Sequence, residues 1–169
     1  WGAEVCPKHP TIQGKCECGD NLQQQMWEQL TDTACVGGVF KADFSRVEKP
    51  VFLTSGMLCP DYSGSGSKSG ANGRTGWMFV AQIKIILKIR PAAIRLEMSD
   101  GVWDVNDAAE IKQVCSELES VYRLYVTDKA GVLRVWDYGD PSHRKRCFIV
   151  GFDRRIGQYT ELFQWPGVE

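Results

Sequence analysis

The sequence lacks any long uninterrupted apolar run. Its longest, Trp77–Ile89, is broken by Gln82, Lys84 and Lys88, so no membrane span is expected. It also lacks an excess of one charge: 20 Lys and Arg stand against 21 Asp and Glu, a net charge of −1. A nucleic-acid partner must then be met by a local basic patch, not by the surface as a whole. Histidine is scarce, with only His9 and His143. No signal peptide, fixed-period repeat or interior linker is expected. With 169 residues, 43% of them hydrophobic, the chain is expected to form one domain, residues 1–169, with a substantial core. It opens on Trp1 in place of Met, as expected of a fragment or a processed product.

Cysteine is neither dense nor even in number. Seven are scattered at positions 6, 16, 18, 35, 59, 115 and 147, some within apolar strand-like runs. A disulfide scaffold would be denser in cysteine and poorer in core. Reduced thiols are therefore expected, in an intracellular compartment, nucleus or bacterial cytoplasm. Cys6, His9, Cys16 and Cys18 match no common zinc spacing, and no metal is expected.

What is present alternates between strand and helix patterns. Ile12–Cys18 reads as a strand ending near Glu17, followed by a helix to about Leu30. Short strands are expected at Val39–Ala42 and Val51–Thr54, the second stopping at Ser55-Gly56. Ser63–Gly73 is almost wholly Ser, Gly, Lys and Asn and reads as a mobile loop. Trp77–Ile89 has helical spacing, with Pro91 beyond its end. Ala92–Met98 reads as a strand and Asn106–Val121 as an amphipathic helix. Strands follow at Tyr122–Thr127, Val132–Trp136 and Cys147–Phe152, and the tail from Arg154 reads as irregular. This order predicts an α/β domain with a mostly parallel sheet. In such sheets the chemistry gathers at the carboxyl ends of the strands.

The Gly-rich loop is not a nucleotide cradle. Ser67, not Gly, precedes Lys68, so a Walker loop fails. Gly64, Gly66 and Gly70 are too widely spaced for a dinucleotide fingerprint. Cys59 is more telling. It follows a strand expected to be buried, sits beside Pro60 and Asp61, and opens the loop. That is where a nucleophile belongs, although a lone cysteine is more often structural. Glu97 lies near the end of the Ala92–Met98 strand, which is otherwise apolar apart from Arg95. In extended chain Arg144 and Arg146 share one face, which suits an anionic or carbonyl-rich ligand. The plainer reading of His143-Arg144-Lys145-Arg146 is a solvated basic edge.

Taken in order, these features resemble the cytosine-C5 DNA methyltransferase family. Gly56-Met57-Leu58-Cys59-Pro60-Asp61-Tyr62-Ser63 resembles its Gly-x-Pro-Cys-Gln-x-Phe-Ser nucleophile motif. Gly73-Arg74-Thr75-Gly76-Trp77-Met78-Phe79 resembles the Arg-Gly-x-Leu-Phe start of the next helix. Arg95-Leu96-Glu97-Met98-Ser99 stands where the family has Glu-Asn-Val. Tyr138-Gly139-Asp140-Pro141-Ser142-His143-Arg144-Lys145-Arg146 resembles Tyr-Gly-x-Pro-Gln-x-Arg-x-Arg. The resemblance covers residues 12 to 166. Leu58, Pro60, Met98, Ser99 and Ser142 depart from the motifs, while Cys59, Glu97, Arg144 and Arg146 are kept.

The resemblance implies a Rossmann-like fold that uses S-adenosylmethionine, with helices on both faces of the sheet, here incomplete. The family's first strand and cofactor loop, and its target-recognition region, have no counterpart in these residues. A second chain or segment is then expected to complete the fold. The implied reaction is methylation of carbon 5 of a cytosine flipped out of DNA. RNA serves the same chemistry, and a non-catalytic binding homologue is the alternative. Cys59 is the implied nucleophile, Glu97, Arg144 and Arg146 the groups on the base. Glu17, Cys18, Asp43, Phe44 and Trp77 are the implied cofactor contacts. Ser63, Lys68 and Arg74 are the implied nucleic-acid contacts.

Overall fold

The apolar spacing of Trp77–Ile89 is realised as the first α-helix, α1, over those residues. Met78, Phe79, Ile83, Ile86 and Ile89 form its buried stripe. Arg90 ends it in the left-handed region (φ 53°), and its amide donates to the Ile86 carbonyl at 2.7 Å. Pro91 then forbids another turn. The computed structural model describes residues 44–46, 48–56, 60–63, 66, 68–73, 76–127 and 131–167. The chain falls into two compact units, residues 1–49 and 50–169. In the first, the described element is a 3-10 turn, Phe44–Arg46.

The second unit is built on a five-stranded sheet. Its strands are β1 (Phe52–Gly56), β2 (Ala93–Ser99), β3 (Tyr122–Val126), β4 (Leu133–Arg134) and β5 (Lys145–Asp153). The order is β1-β2-β5-β3, with β4 also pairing to β5. β1 and β2 are parallel, whereas β5 is antiparallel to β2, β3 and β4. The described sheet is thus mixed: β1, β2 and β3 share one direction and β5 runs against them. No described helix crosses between β3 and β5. The chain turns back through Gly139 (φ 86°) and enters β5 reversed.

The same turn shortens the strand expected at Val132–Trp136. Only Leu133–Arg134 pairs, and Val135–Tyr138 coils into a 3-10 turn. The helix expected from Asn106 starts later, as α2 (Ala109–Glu119). Asn106 and Ala108 take left-handed φ values of 48° and 61°, which interrupt a helical ladder. The tail expected to be irregular carries 3-10 turns over Arg154–Glu161, kinked at Gly157.

Both described α-helices cover one face of the sheet. Phe79, Ile83 and Ile86 of α1 and Ile111, Val114 and Leu118 of α2 share a core with Ile94, Leu96, Met98, Tyr122, Cys147 and Ile149. On the opposite face, Phe163 packs against Tyr125 (5.0 Å between centroids) and Phe152 (5.8 Å), and Trp165 packs against Phe163. Among the described residues, the aromatic tail covers that face.

One buried ion cluster fixes the end of the sheet away from the family motifs. Asp153, 1% exposed, accepts from Arg90 Nε at 2.9 Å and Arg155 at 2.6 Å. Its amide donates to the Ala92 carbonyl at 2.8 Å. Burial pushes the Asp153 carboxyl up, but hydrogen bonds from Arg155 and Arg90 outweigh it and hold the group well below its ordinary value. A carboxyl lowered on folding stabilises the fold above its unfolded value, about 3.9, and loses that contribution as pH falls towards its folded value. Stability is therefore expected to fall on acidification below about pH 4. Asp153→Asn should be less stable at pH 7 by about 1–3 kcal/mol and should show a shallower acid limb. Thermal melts between pH 3 and 7 check this; identical acid limbs would assign the loss to other carboxyls.

Candidate active site

The carboxyl ends of β1 and β2 meet the start of β5. Gly56, the last residue of β1, is in register with Glu97, and Glu97 with Phe148. Arg146 pairs with Ser99, two residues on, so it is a diagonal neighbour of Glu97. Long side chains bridge that separation. Arg146 Nε donates to Glu97 Oε1, and Arg144 lies 3.5 Å from the same oxygen. Glu97 and Arg146 are about a quarter exposed, Arg144 more than half. Arg146 also donates to the Lys145 carbonyl at 2.7 Å, which fixes the guanidinium plane.

Small size at position 56 matters here. A Cβ on Gly56 would stand 3.2 Å from Glu97 Oε2, tighter than an ordinary contact. The glycine thus leaves space in front of the carboxylate. Oε1 is engaged by the arginines, while Oε2 accepts no hydrogen bond among the described residues. The result is an oriented acceptor with two cations beside it. Such a group can receive an N–H from a polar ring while a guanidinium takes a neighbouring carbonyl.

The chain beyond β1 is tied down by a residue that the sequence did not single out. Glu110, in the first turn of α2, accepts from the Tyr62 hydroxyl at 2.6 Å and the Ala71 amide at 2.8 Å. Asn106 donates to its other oxygen at 2.9 Å. Gly70, at φ 58°, lies so close that a Cβ would meet Glu110 Oε1 at 2.5 Å. The Gly70 amide donates to the Asp61 carbonyl at 3.1 Å. Tyr62, 2% exposed, packs edge-on against Phe79. Its carbonyl lies 1.9 Å from where a Gly101 Cβ would stand, so that position requires glycine. Gly70–Asn72, expected within a mobile loop, is a 3-10 turn held by these bonds. Serine and glycine composition conceals this, because the partner lies 39 residues away.

The expected site residues are placed as follows. Glu97, Arg144 and Arg146 come together as described. Ser63 accepts the Gly66 amide through its carbonyl at 3.0 Å. Lys68 is exposed and in the left-handed region, φ 53°. Trp77 opens α1 and is 37% exposed. Phe44 is half-buried in the first unit. Cys59, Glu17, Cys18, Asp43 and Arg74 lie outside the described residues. Two other cysteines are described. Burial, then Glu119 and Cys147, pushes the Cys115 thiol up to about 12. Cys147 is fully buried and its thiol donates to the Thr127 carbonyl. The raised Cys115 thiol therefore provides no thiolate near neutral pH.

Residues 22–166 match the family described as C-5 cytosine-specific DNA methylase. The type II methyltransferase M1.ScrFI of Lactococcus lactis subsp. cremoris is 30% identical over 132 residues, 77% of this chain and 33% of that protein. M.HpaII of Haemophilus parainfluenzae is 26% identical over 160 residues, 90% of this chain and 43% of that protein. The chain thus spans well under half of the curated relatives' length. Among solved structures, the S. pombe Dnmt2 methyltransferase superposes with a TM-score of 0.51 at 15% identity. The superposition covers 88% of this chain and 48% of that one, and it shows the fold shared with a methyltransferase.

The Glu110 contacts generate a prediction. Glu110→Ala removes the acceptor for Tyr62 and the Ala71 amide together, at about 1–3 kcal/mol. Cleavage within residues 63–70 by a low dose of protease should speed up, with the far-ultraviolet spectrum retained. Unchanged cleavage would show that the loop is held without Glu110.

Proposed function

Because the chain belongs to the C-5 cytosine-specific DNA methylase family, we propose that it forms the catalytic segment of an enzyme that methylates carbon 5 of cytosine in DNA. The observation that carries this reading is Glu97, held by Arg146 and flanked by Arg144, beside the end of the strand that leads to Cys59. The family match runs across both compact units, and we read them as parts of one catalytic domain.

Carbon 5 of cytosine is a weak nucleophile, so the ring must first be activated. The Cys59 thiolate adds to carbon 6, and the ring electrons shift towards carbon 5. Only three residues separate Cys59 from Gly56, a span of at most about 11 Å. Glu97 receives the exocyclic amine and holds the proton on ring nitrogen 3, which makes the ring electron-poor. Arg146 holds the carbonyl oxygen at position 2, and Arg144 steadies Glu97 from its exposed side. S-adenosylmethionine, when bound, would supply the methyl group to carbon 5, its sulfonium sulfur leaving as a neutral thioether. Carbon 5 then gives up its proton to water, and the electron pair left behind breaks the carbon 6–sulfur bond, which frees the Cys59 thiolate. A paired base cannot reach these groups, so the nucleotide leaves the stack.

Among the described residues, Trp77 suits that cofactor. Trp77 is 37% exposed, and an exposed aromatic surface suits stacking on a nucleobase. We assign Glu17, Cys18, Asp43 and Phe44 to the same cofactor, and Ser63, Lys68 and Arg74 to the nucleic-acid backbone. The outer edge of β1 has no strand partner among the described residues, while Val51 and Phe52 are 77% and 55% exposed. Open parallel edges are unfavourable, which supports a further segment or second chain beside β1. No described helix is long and apolar enough to cross a membrane.

Duplex DNA carrying 5-fluorocytosine tests the proposal, because fluorine cannot leave carbon 5 as a proton does. With S-adenosylmethionine, the protein should form an adduct that survives denaturant. Cys59→Ser should form none, and Glu97→Gln should form it about 100-fold more slowly. Cofactor-independent DNA binding without an adduct would instead establish a binding homologue.

A further inference from the structure

The start of β5 carries a charge arrangement that the proposed reaction does not use. Arg134 of β4 and Lys145 of β5 are direct cross-strand partners. Like charges placed directly opposite destabilise a strand pair. Both side chains are exposed, and neither has a carboxylate partner among the described residues. The Arg134 guanidinium lies over the Trp136 ring, 5.5 Å from its centroid. His143 packs edge-on against the same ring at 5.1 Å. The Val135 amide donates to the Arg144 carbonyl at 3.1 Å and ties the two strands together.

Two of the nearby acids, Glu97 and Asp140, are otherwise engaged. Glu97 is taken by Arg146 and Arg144. Asp140 accepts the Ser142 amide at 2.7 Å, a bond that lowers its carboxyl below the ordinary value. Strand alternation puts Lys145 on the opposite side of β5 from Arg146. The Arg134–Lys145 pair therefore lies next to the Glu97 site without sharing its ligand.

We propose that Arg134 and Lys145, with Trp136 as the platform that holds the guanidinium, form a binding surface for the phosphodiester backbone of DNA beside the reacting base. A phosphate between the two cations turns their mutual repulsion into attraction. The planar guanidinium gives a forked contact and the ammonium a point charge. Such contacts set position on the duplex and carry no sequence information. The proposal rests on the methyltransferase reading for the identity of the polymer, not for the charge arrangement.

The test is the salt dependence of duplex binding, measured by anisotropy from 50 to 300 mM salt on the full chain with labelled random-sequence DNA. Each neutralised phosphate adds about 0.9 to the slope of log affinity against log salt. Arg134→Gln and Lys145→Gln should each reduce the slope by about 1, and the double variant by about 2. Lys88→Gln, at the far end of α1, should leave it unchanged. Trp136→Leu should weaken binding with a smaller change in slope, since the cation remains. Slopes equal to the parent's, or no salt-dependent binding by the parent, would overturn the surface. The fluorocytosine adduct separates the two claims. An adduct with unchanged slopes rejects only this surface. Reduced slopes without an adduct leave a DNA-binding surface and reject the reaction.

Discussion

The antiparallel ladder between β2 and β5, from Ala93↔Phe152 to Ser99↔Arg146, is the interaction on which both ends of the described molecule depend. One face of the ladder supplies Ile94, Leu96, Met98, Cys147 and Ile149 to the core. Its far end brings Asp153 to Arg90 and Ala92. Its near end brings Arg146 beside Glu97. A slip of one residue would turn every side chain of β5 to the wrong face. It would bury Arg146 in the core and expose Ile149. The apolar alternation that fixes the fold thus also fixes the register of the charged site.

The two ion clusters at the ends of this ladder have different characters. Around Asp153 the carboxylate is buried and both arginines reach solvent, so the cluster closes on itself and serves the fold. Around Glu97 the acid and Arg146 remain partly exposed, one carboxylate oxygen accepts no hydrogen bond among the described residues, and Gly56 leaves space in front of it. That open side costs little in solvent, where ion pairs contribute about 0–1 kcal/mol. It would become a stronger contact if a planar ring excluded water from it.

Much of this was legible in the sequence, for physical reasons that differ by element. The helix at Trp77–Ile89 follows from a regular apolar stripe and from Pro91, both local signals. Glu97 stands out near the end of a largely apolar strand, Arg144 and Arg146 share one face of extended chain, and the motifs fall in order; the structure brings the three side chains together. The reversal of β5 was not legible. Strand direction is set by the turn at Gly139 and by distant pairing, neither of which alters the apolar pattern of Cys147–Phe152. Glu110 was missed because an acidic residue in a helix's first turn already has an ordinary explanation in the helix dipole. Its partners, Tyr62 and Ala71, are far away in sequence. Gly70 and Gly101 read as loop glycines, yet each marks a close approach of chain that only the folded structure shows.

The central claim is that Glu97 and Arg146 act as one unit in holding the base. The most direct measurement is a double-mutant cycle on the rate of fluorocytosine adduct formation, with Glu97→Gln, Arg146→Gln and the pair combined. Groups that act as a unit are strongly non-additive. The double variant is predicted to react no more than about threefold more slowly than the slower single variant. A double variant slowed by the product of the two single effects would show that the two side chains act independently, and would contradict the account.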